Sequence, residues 1–260
     1  MPTPVYIGSS TIRLYYSTKI NDQSHIYFIE ISEESLEIIS DPKEAMRPGI
    51  RGAFDDAGVM PSCIVDGNMY YSGWNLRREV PYSHAIGRGK IRQDGTIERI
   101  FDGPVLNVNK NDPFLVNSPC VIEESGNYIM YYCSGTGWHG NFPSYCIKKA
   151  TSLNGSSWIT NSEKEITFGI DDEAISRVCY DSSVNLLYFS MKTKDTNYRI
   201  YYCDKNYEPN YLEIEDGTWD SDMQCYPHLY NNNGFRYLFY NGNGYGQTGI
   251  GVAKWKEATV

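Results

Sequence analysis

A hairpin-like segment occurs four times along the chain, and this repetition limits the fold more than any other sequence feature. Each copy has a short apolar strand, a turn of Gly, Asn, Asp or Ser, and a second strand rich in aromatic residues, which is typical of a β-hairpin. The copies begin at Pro61, Pro119, Arg177 and Pro227, so they lie 58, 58 and 50 residues apart. Residues Ile12–Thr18 match the second strand alone and indicate a fifth copy. Repeats of about 50 residues are typical of propeller blades.

Further strands are predicted between the repeated hairpins. Third strands are expected at 82–92, 145–151 and 198–203, and outer strands at 97–101, 158–160 and 211–214. In the first copy, strands are expected at 26–31 and 36–39, and residues 41–46 are the one candidate for a turn of helix. Four strands in each of five repeats predict an all-β, five-bladed β-propeller that uses residues 1–260 as a single domain. A β-sandwich is the rival architecture, but it gives no reason for the hairpin to repeat.

The composition argues against several classes of protein. The formal net charge is -9 and no run of Lys or Arg is present, which argues against a nucleic-acid partner. No stretch approaches the roughly 18 apolar residues of a membrane span, so no membrane partner is expected. Residues 1–6 lack the basic end and apolar centre of a secretion signal. The seven cysteines include no CxxC pair and are expected to be reduced thiols of a cytoplasmic protein.

Acidic residues precede the predicted first strands of the blades. Because the first strand of each blade lines the central channel of a propeller, residues just before these strands should meet at one mouth. The residues five positions before the four copies are Asp56, Phe114, Asp172 and Asp222, and their acidic neighbours are Asp55, Asp112 and Glu173. Crowded carboxyls differ in pKa, as a general acid and a general base require. The alternative is that single aspartates cap turns.

Other side chains predicted at this mouth are suited to a sugar. Trp74 and Trp138 follow equivalent strands and Tyr245 occupies a comparable place, so their rings could stack on a pyranose or fill the gaps between blades. Arg177 is predicted to point into the channel, where it would bind a substrate carboxylate or phosphate or offset the aspartates. His228 follows a proline and should face the channel, either holding a cation or water or lying buried with its hydrogen bonds satisfied.

Five motifs resemble the five-bladed propellers of the arabinanase, levansucrase and invertase superfamily, and more closely the family 43-like glycosidases. The motifs span 54–62, 117–120, 174–177, 219–227 and 240–246. The resemblance implies an aspartate base or nucleophile, an aspartate that tunes pKa and a glutamate acid on successive blades. Asp56, Asp112 and Glu173 fit that order, although Asp55, Asp172 and Asp222 compete for the same roles.

We therefore expect a glycosidase-like enzyme that acts on a small sugar or glycoconjugate by carboxylate acid–base chemistry. The expected substrate-binding residues are Asp55, Trp74, Trp138, Asp172, Arg177, Asp222, His228 and Tyr245. No cofactor and no catalytic metal is expected, and a structural cation in the channel is left open. Two alternatives remain, a non-catalytic carbohydrate-binding or accessory protein of glycan biosynthesis, and a transferase or lyase acting on an activated sugar.

Overall fold

The fold, taken from a computed structural model, is built almost entirely of β-strands, as predicted. The structure describes residues 1–167, 174–193, 195–204, 206–232 and 234–256. Within these ranges the only helix is the single turn α1 (Asn243–Gly246). Nor does any helix of the described chain have the length and apolar character needed to cross a bilayer.

Consecutive strands pair antiparallel and form five groups, which we call meanders 1 to 5. Meander 1 contains β1 (Thr3–Gly8), β2 (Thr11–Ile20), β3 (Gln23–Ser32) and β4 (Lys43–Met46). Meander 2 contains β5 (Gly58–Val65), β6 (Asn68–Leu76), β7 (Tyr82–Ile91) and β8 (Ile97–Arg99). Meander 3 contains β9 (Val116–Glu124), β10 (Asn127–His139), β11 (Phe142–Ser152) and β12 (Ile159–Thr160). Meander 4 contains β13 (Ala174–Asp181), β14 (Leu186–Lys192), β15 (Arg199–Cys203) and β16 (Asn210–Tyr211). Meander 5 contains β17 (Cys225–Asn232), β18 (Phe235–Asn241) and β19 (Ile250–Lys256).

Two-residue turns close several of the hairpins. Asp66 and Gly67 between β5 and β6 have φ values of 50° and 69°, and Ser125 and Gly126 between β9 and β10 have 54° and 78°. Two successive positive φ values match the twist of a tight antiparallel hairpin, which explains why turn residues of this kind recur there. The turn chemistry of the sequence thus sets the hairpin registers.

The first strands of the meanders contact each other in chain order. β5 contacts β1 and β9, β13 contacts β9 and β17, and β17 also contacts β1. Three buried cysteine sulfurs accept backbone N–H groups from the next first strand. The pairs are Val121 N with Cys63 Sγ (3.2 Å), Tyr180 N with Cys120 Sγ (3.4 Å) and Leu229 N with Cys179 Sγ (3.2 Å). The same contact therefore recurs between successive meanders.

Tyrosines of the second strands bind the outer turn of the next meander. The hydroxyl of Tyr15 donates to the carbonyl of Gly95 over 3.0 Å, and that of Tyr70 donates to the carbonyl of Gly155 over 2.7 Å. Both tyrosines are fully buried. These bonds fix meander 1 against meander 2, and meander 2 against meander 3.

Three predictions about secondary structure were wrong. Residues 41–46 do not form a helical turn, because Lys43–Met46 pairs with β3 as strand β4 and buries Ala45 and Met46. The predicted outer strand at 36–39 contributes only an isolated bridge between Ile31 and Ile38. Meander 5 has three strands among the described residues, where four were predicted.

The predicted alignment of Arg177 with Pro61 agrees with the strand pairing, but its alignment with Pro119 and Pro227 is wrong by one residue. Cys179 pairs with Tyr188 in meander 4, and Cys120 pairs with Tyr131 in meander 3, so the two cysteines are equivalent. Arg177 and Ser118 each lie two positions before their cysteine and are therefore equivalent as well. The corresponding residues are Pro61 in meander 2 and Tyr226 in meander 5. Each of these first strands carries a β-bulge at this point, so the equivalent residues are identified by strand pairing and not by the position of the proline.

Candidate functional site

The starts of the first strands define one end of the meanders, which we call the mouth. Gly58 at the start of β5 pairs with Trp74 near the end of β6, and Cys225 at the start of β17 pairs with Asn241 at the end of β18. Because the strands are antiparallel, the third strands also begin at this end, as the pairing of Trp74 with His84 illustrates. The mouth is therefore lined by three strand ends from each meander.

Six aromatic side chains from four meanders come together at the mouth, and we call them the aromatic basin. They are Tyr82, Trp138, Tyr145, Tyr198, Tyr226 and Tyr245. The ring centroids of Tyr82 and Trp138 lie 5.3 Å apart, and Tyr82 also hydrogen-bonds to Tyr145. Tyr145 and Tyr226 pack against the buried cluster that contains Tyr198, which joins the two sides of the basin. The geometry offers flat faces together with hydroxyl groups.

The tyrosine hydroxyls of the basin stay protonated at neutral pH. Burial raises the pKa of Tyr145, Tyr198 and Tyr226 well above the ordinary value of a phenol, and the neighbouring phenols add to that rise. A protonated phenol can both donate and accept a hydrogen bond. Such groups suit the alternating donor and acceptor character of sugar hydroxyls.

The loop that carries Tyr245 is held against the mouth by local contacts. Tyr245 lies in α1 with φ 61°, and its ring stacks on that of Tyr226 at a centroid distance of 6.3 Å. Asn241 Nδ2 donates to the Tyr245 carbonyl over 2.8 Å, and the Tyr245 N–H lies 3.3 Å from the sulfur of Met223. Half of the Tyr245 surface is exposed, so its outer face is available to a ligand.

Trp138 and Tyr245 lie in the basin, whereas Trp74 lies beside it. Trp74 Nε1 donates to Ser24 Oγ of meander 1 over 3.3 Å, and its indole crosses Gly58 so closely that a Cβ there would lie 2.3 Å from Nε1. Trp74 therefore fills a gap between meanders, which is one of the two roles that the sequence analysis considered for it.

His84 adjoins the basin and was missed by sequence reasoning. Its ring stacks on Tyr82 at 4.8 Å, and Asn117 Nδ2 lies 2.9 Å from its Nδ1. Burial lowers the pKa of His84 to about 4, so the imidazole is neutral at pH 7 and its Nδ1 accepts from the amide.

Lys192 brings a positive charge to the basin. Its Nζ lies 5.2 Å from the ring centroid of Tyr198 and 5.6 Å from that of Phe142. No carboxylate of the described residues forms an ion pair with Lys192. Burial lowers the pKa of Lys192 below that of a free lysine. Among the described residues, the ammonium is thus stabilised by aromatic faces.

A shallow cleft of about 390 Å³ opens beside Tyr82. Its walls come from two loops, 77–83 and 108–114. Arg77, Arg78 and Phe114 line it, and all three are exposed. The cleft could extend the basin toward a larger ligand.

Two of the predicted acids are buried in hydrogen-bond networks. Asp55 Oδ2 accepts from Nε and Nη2 of Arg99 over 2.9 and 2.7 Å and from the hydroxyl of Tyr71 over 3.2 Å. Asp112 is wholly buried, lies 3.0 Å from Lys148 Nζ, and accepts from the hydroxyls of Tyr132 and Ser134. Each carboxylate is thus paired with a cation and with at least one hydroxyl group.

The same arrangement recurs in meander 5, whereas the equivalent second strand of meander 4 lacks the tyrosine. Asp220 accepts from the hydroxyl of Tyr240 over 2.8 Å and from Gln224 Nε2 over 3.0 Å. Tyr240 is equivalent to Tyr71 and Tyr132, but Phe189 stands at that place in β14 and has no hydroxyl. Buried Asp–Tyr pairs are therefore a repeated structural element.

Asp56 and Asp222 are the predicted acids that lie at the mouth and are not fully buried. Asp56 Oδ2 accepts from the Gly52 N–H over 2.8 Å, and its carbonyl accepts from Gln23 Nε2 over 2.7 Å. Asp222 is exposed and its Oδ1 accepts from Asn197 Nδ2 over 2.8 Å. Asp222 directly precedes Met223, which contacts the loop of Tyr245.

Asp172 and Glu173 lie outside the described residues. The described chain resumes at Ala174, which pairs with Tyr145 and with Lys192 and packs against Tyr198. Ala174 therefore lies within the wall of the basin.

Arg177 and His228 lie together on the inner side of the first strands. Arg177 is completely buried, and its Nη2 donates to His228 Nδ1 over 2.9 Å. Its Nη1 donates to the Pro61 carbonyl over 2.9 Å. Burial and the adjacent guanidinium hold the pKa of His228 well below its usual range. Arg177 is shielded from solvent in this structure, whereas His228 is partly exposed, and their predicted contact with substrate stays a prediction.

Comparison with known proteins shows the family to which the chain belongs. No family model matches the chain. Two proteins of Mycobacterium tuberculosis, MT1551 of strain CDC 1551 and Rv1502 of strain H37Rv, are each 32% identical to it over 275 aligned positions. The alignments cover 97% of this chain and 91% of each relative. The chain belongs to the family of these two mycobacterial proteins. Both carry the description "uncharacterized protein".

Solved structures of sugar-active proteins share the fold of this family member. The complex of BT0996 with RGII superposes with a TM-score of 0.74 at 13% identity, over 100% of this protein and 88% of BT0996. A β-1,2-mannobiose phosphorylase from Listeria innocua, in complex with β-1,2-mannobiose, gives 0.68 at 11% identity, over 98% and 88%. A glycosyl hydrolase from Bacteroides ovatus gives 0.64 at 16% identity, over 98% and 83%. At these identities the likeness shows the fold alone.

Proposed function

We propose that the five meanders are blades of a closed five-bladed propeller and that its mouth binds and processes a small sugar or glycoconjugate. The cyclic contacts of the first strands support the closed ring. The observation that carries the functional proposal is the convergence of six aromatic side chains from four meanders on the end where the first strands begin. Flat rings bearing hydroxyls provide stacking and hydrogen bonding to a pyranose at the same time.

Asp56 and Glu173 are the proposed catalytic pair. Asp56 is half-buried at the mouth, and the N–H of Gly52 fixes its orientation, as a base or nucleophile requires. Glu173 directly precedes Ala174 in sequence, and Ala174 packs against Tyr198 of the basin. Glu173 would act as the general acid. In this proposal Asp222 contacts the substrate, together with Trp138 and Tyr245.

Asp55 and Asp112 have a different proposed role from the one inferred from sequence. Their partners Arg99, Lys148 and the strand tyrosines bind both carboxylates away from solvent. We propose that they hold the loops before β5 and β9 in place and do not touch the substrate. The carboxylates left for chemistry are then those of Asp56, Asp172, Glu173 and Asp222.

The reaction could transfer the glycosyl group to water or to phosphate. The fold relatives include glycoside hydrolases and a mannobiose phosphorylase, and the ammonium of Lys192 in the basin is compatible with a bound phosphate. Both reactions need a general acid at the leaving group, and they differ only in the nucleophile.

The decisive experiment is turnover of a panel of disaccharides and aryl glycosides with and without inorganic phosphate. We expect product release by the wild-type protein and loss of at least a hundredfold in Asp56→Asn and Glu173→Gln. Asp41→Asn is the matched control, because Asp41 is exposed in the outer loop between β3 and β4. Full activity of both carboxamide variants would contradict the proposed pair. Product formed only with phosphate would indicate a phosphorylase.

A non-catalytic carbohydrate-binding protein is the second candidate. It is favoured by the burial and ion pairing of Asp55 and Asp112, which would remove two of the acids that sequence analysis placed at the mouth. Calorimetric titration distinguishes the two functions. Sugar binding that depends on Trp138 and Tyr198, with no product from any glycoside in the panel, would establish binding without catalysis.

A further inference from the structure

The buried guanidinium of Arg177 forms hydrogen bonds with neutral groups. Arg177 Nη1 donates to the Pro61 carbonyl, and Nη2 donates to the Pro2 carbonyl over 2.7 Å, to Thr3 Oγ1 over 3.1 Å and to His228 Nδ1 over 2.9 Å. No carboxylate of the described residues forms an ion pair with it. A buried guanidinium remains protonated, and leaving such a charge without a counter-ion is costly.

Two buried donors beside these contacts have no hydrogen-bond partner. Arg177 Nε is one of them, and the hydroxyl of Ser62 is the other. Ser62 directly follows the carbonyl that Arg177 Nη1 binds, and its own backbone accepts a hydrogen bond from His228. Buried polar atoms of this kind are rare in native proteins and point to a further partner.

The surrounding thiols are not the counter-ion. Cys63, Cys120 and Cys179 are electrostatic neighbours of Arg177, and burial raises the pKa of each to about 12. Each sulfur already accepts a backbone N–H from the next first strand. Each protonated thiol can still donate a hydrogen bond through its S–H group.

The interior beside Arg177 thus combines one positive charge, neutral thiols and two unpartnered donors. We propose that it binds a small monovalent anion such as chloride, with Arg177 Nε–H as the principal donor. A single negative charge balances the guanidinium, and a small polarisable ion suits the soft S–H groups that surround Arg177 among the first strands. A structural cation, which the sequence left open, would be repelled by Arg177.

Bromide is the first probe, because it replaces chloride and scatters anomalously. Crystals of the full chain grown in sodium bromide should show an anomalous peak within hydrogen-bond distance of Arg177 Nε. Density at that position without an anomalous signal would mean a water molecule and would overturn the proposal. Bromide peaks confined to the protein surface would overturn it equally.

Halide-dependent stability is the second measurement. At fixed ionic strength, replacing sodium gluconate by sodium chloride should raise the melting temperature by several degrees along a saturating curve, as mass action requires for a ligand of the native state. Arg177→Gln should lose this dependence. Arg13→Gln is the matched control, since Arg13 is also buried but pairs with Glu30 over 2.7 Å, and it should keep the dependence. An Arg177→Gln protein that folds and retains the full chloride effect would refute the site, and the bromide experiment decides the matter if that variant does not fold.

Discussion

Nη2 of Arg177 donates a hydrogen bond to Nδ1 of His228 over 2.9 Å, between two side chains carried by β13 and β17. Because a guanidinium can only donate, Nδ1 must be an acceptor and the imidazole must be neutral. The ring donates in turn to the backbone of Ser62 in β5. One neutral histidine therefore links three first strands, and its protonation would break the link with Arg177.

Stability should fall below pH 6.5 because two histidines are held neutral. In the folded protein, burial lowers the pKa of His84 to about 4, and the pKa of His228 lies well below its usual value. Since the unfolded chain takes up these protons first, the free energy of unfolding should decrease as pH falls from 6.5 toward the folded-state pKa values. Each histidine contributes about 1.4 kcal/mol per pH unit in that window.

Urea unfolding of the wild-type protein and of His84→Gln at pH 7, 6 and 5 measures this effect. Gln can still accept from Asn117 but does not titrate, so the variant should lose less stability between pH 6 and 5 than the wild type. Equal losses in the two proteins would show that His84 is not held neutral.

Asp112 should prove to be a structural residue. Asp112→Asn leaves the buried ammonium of Lys148 without its carboxylate, which should cost about 3–5 kcal/mol of unfolding free energy. Tyr132→Phe removes only one of several donors to the same carboxylate and should cost about 1–3 kcal/mol. Chemical denaturation measures both.

Sugar binding by the Asp112 variant separates stability from function. If the folded fraction of Asp112→Asn binds and turns over sugars like the wild type, the carboxylate acts on the fold alone. A protein of normal stability with impaired turnover would instead support the role in tuning catalytic pKa values that the family resemblance implies.

The hairpins could be predicted from the sequence because turn residues and aromatic strands are local signals. Asp66 and Gly67, for example, indicate a tight turn without reference to the rest of the chain. The alignment of Arg177 with Ser118 and Tyr226 could not be predicted, because only strand pairing shows which residues of the first strands are equivalent. The partner of Asp112 is likewise Lys148 on a neighbouring strand, and nothing near Asp112 in sequence signals it.

The candidate site could be predicted only in part for the same reason. Trp138 and Tyr245 were found from their positions after equivalent strands, and both lie in the basin. Tyr82, Tyr145 and Tyr198 were missed, although a tyrosine begins each of the predicted third strands 82–92, 145–151 and 198–203 and was a usable signal. The roles of Asp56 and Glu173 stay predictions.

Trp138 should report sugar binding directly. Its indole lies at the edge of the basin, 5.3 Å from the ring of Tyr82, so a bound pyranose should change its fluorescence. Trp138→Ala should weaken binding by about tenfold, or about 1.4 kcal/mol. Trp255→Phe is the control, because Trp255 pairs with Arg236 at the end of meander 5 opposite the mouth. An unchanged affinity in Trp138→Ala would exclude the aromatic basin as the binding surface.

Lys192 should favour ligands that carry a negative charge. Its ammonium contacts the rings of Phe142 and Tyr198, and no carboxylate of the described chain pairs with it, so an anionic group on the ligand would be attracted to this cation. We expect phosphorylated or uronic sugars to bind more tightly than their neutral counterparts in calorimetric titrations. Lys192→Met keeps most of the apolar stem and should abolish the difference in affinity, whereas Lys192→Arg should retain part of it.

The preference for anionic sugars should also depend on pH. Because burial lowers the pKa of Lys192, the ammonium loses its proton at a lower pH than a free lysine does, and the preference should weaken as pH rises toward that pKa. Identical preference for anionic sugars in the wild type and Lys192→Met would assign the recognition to the exposed Arg77 and Arg78 of the neighbouring cleft.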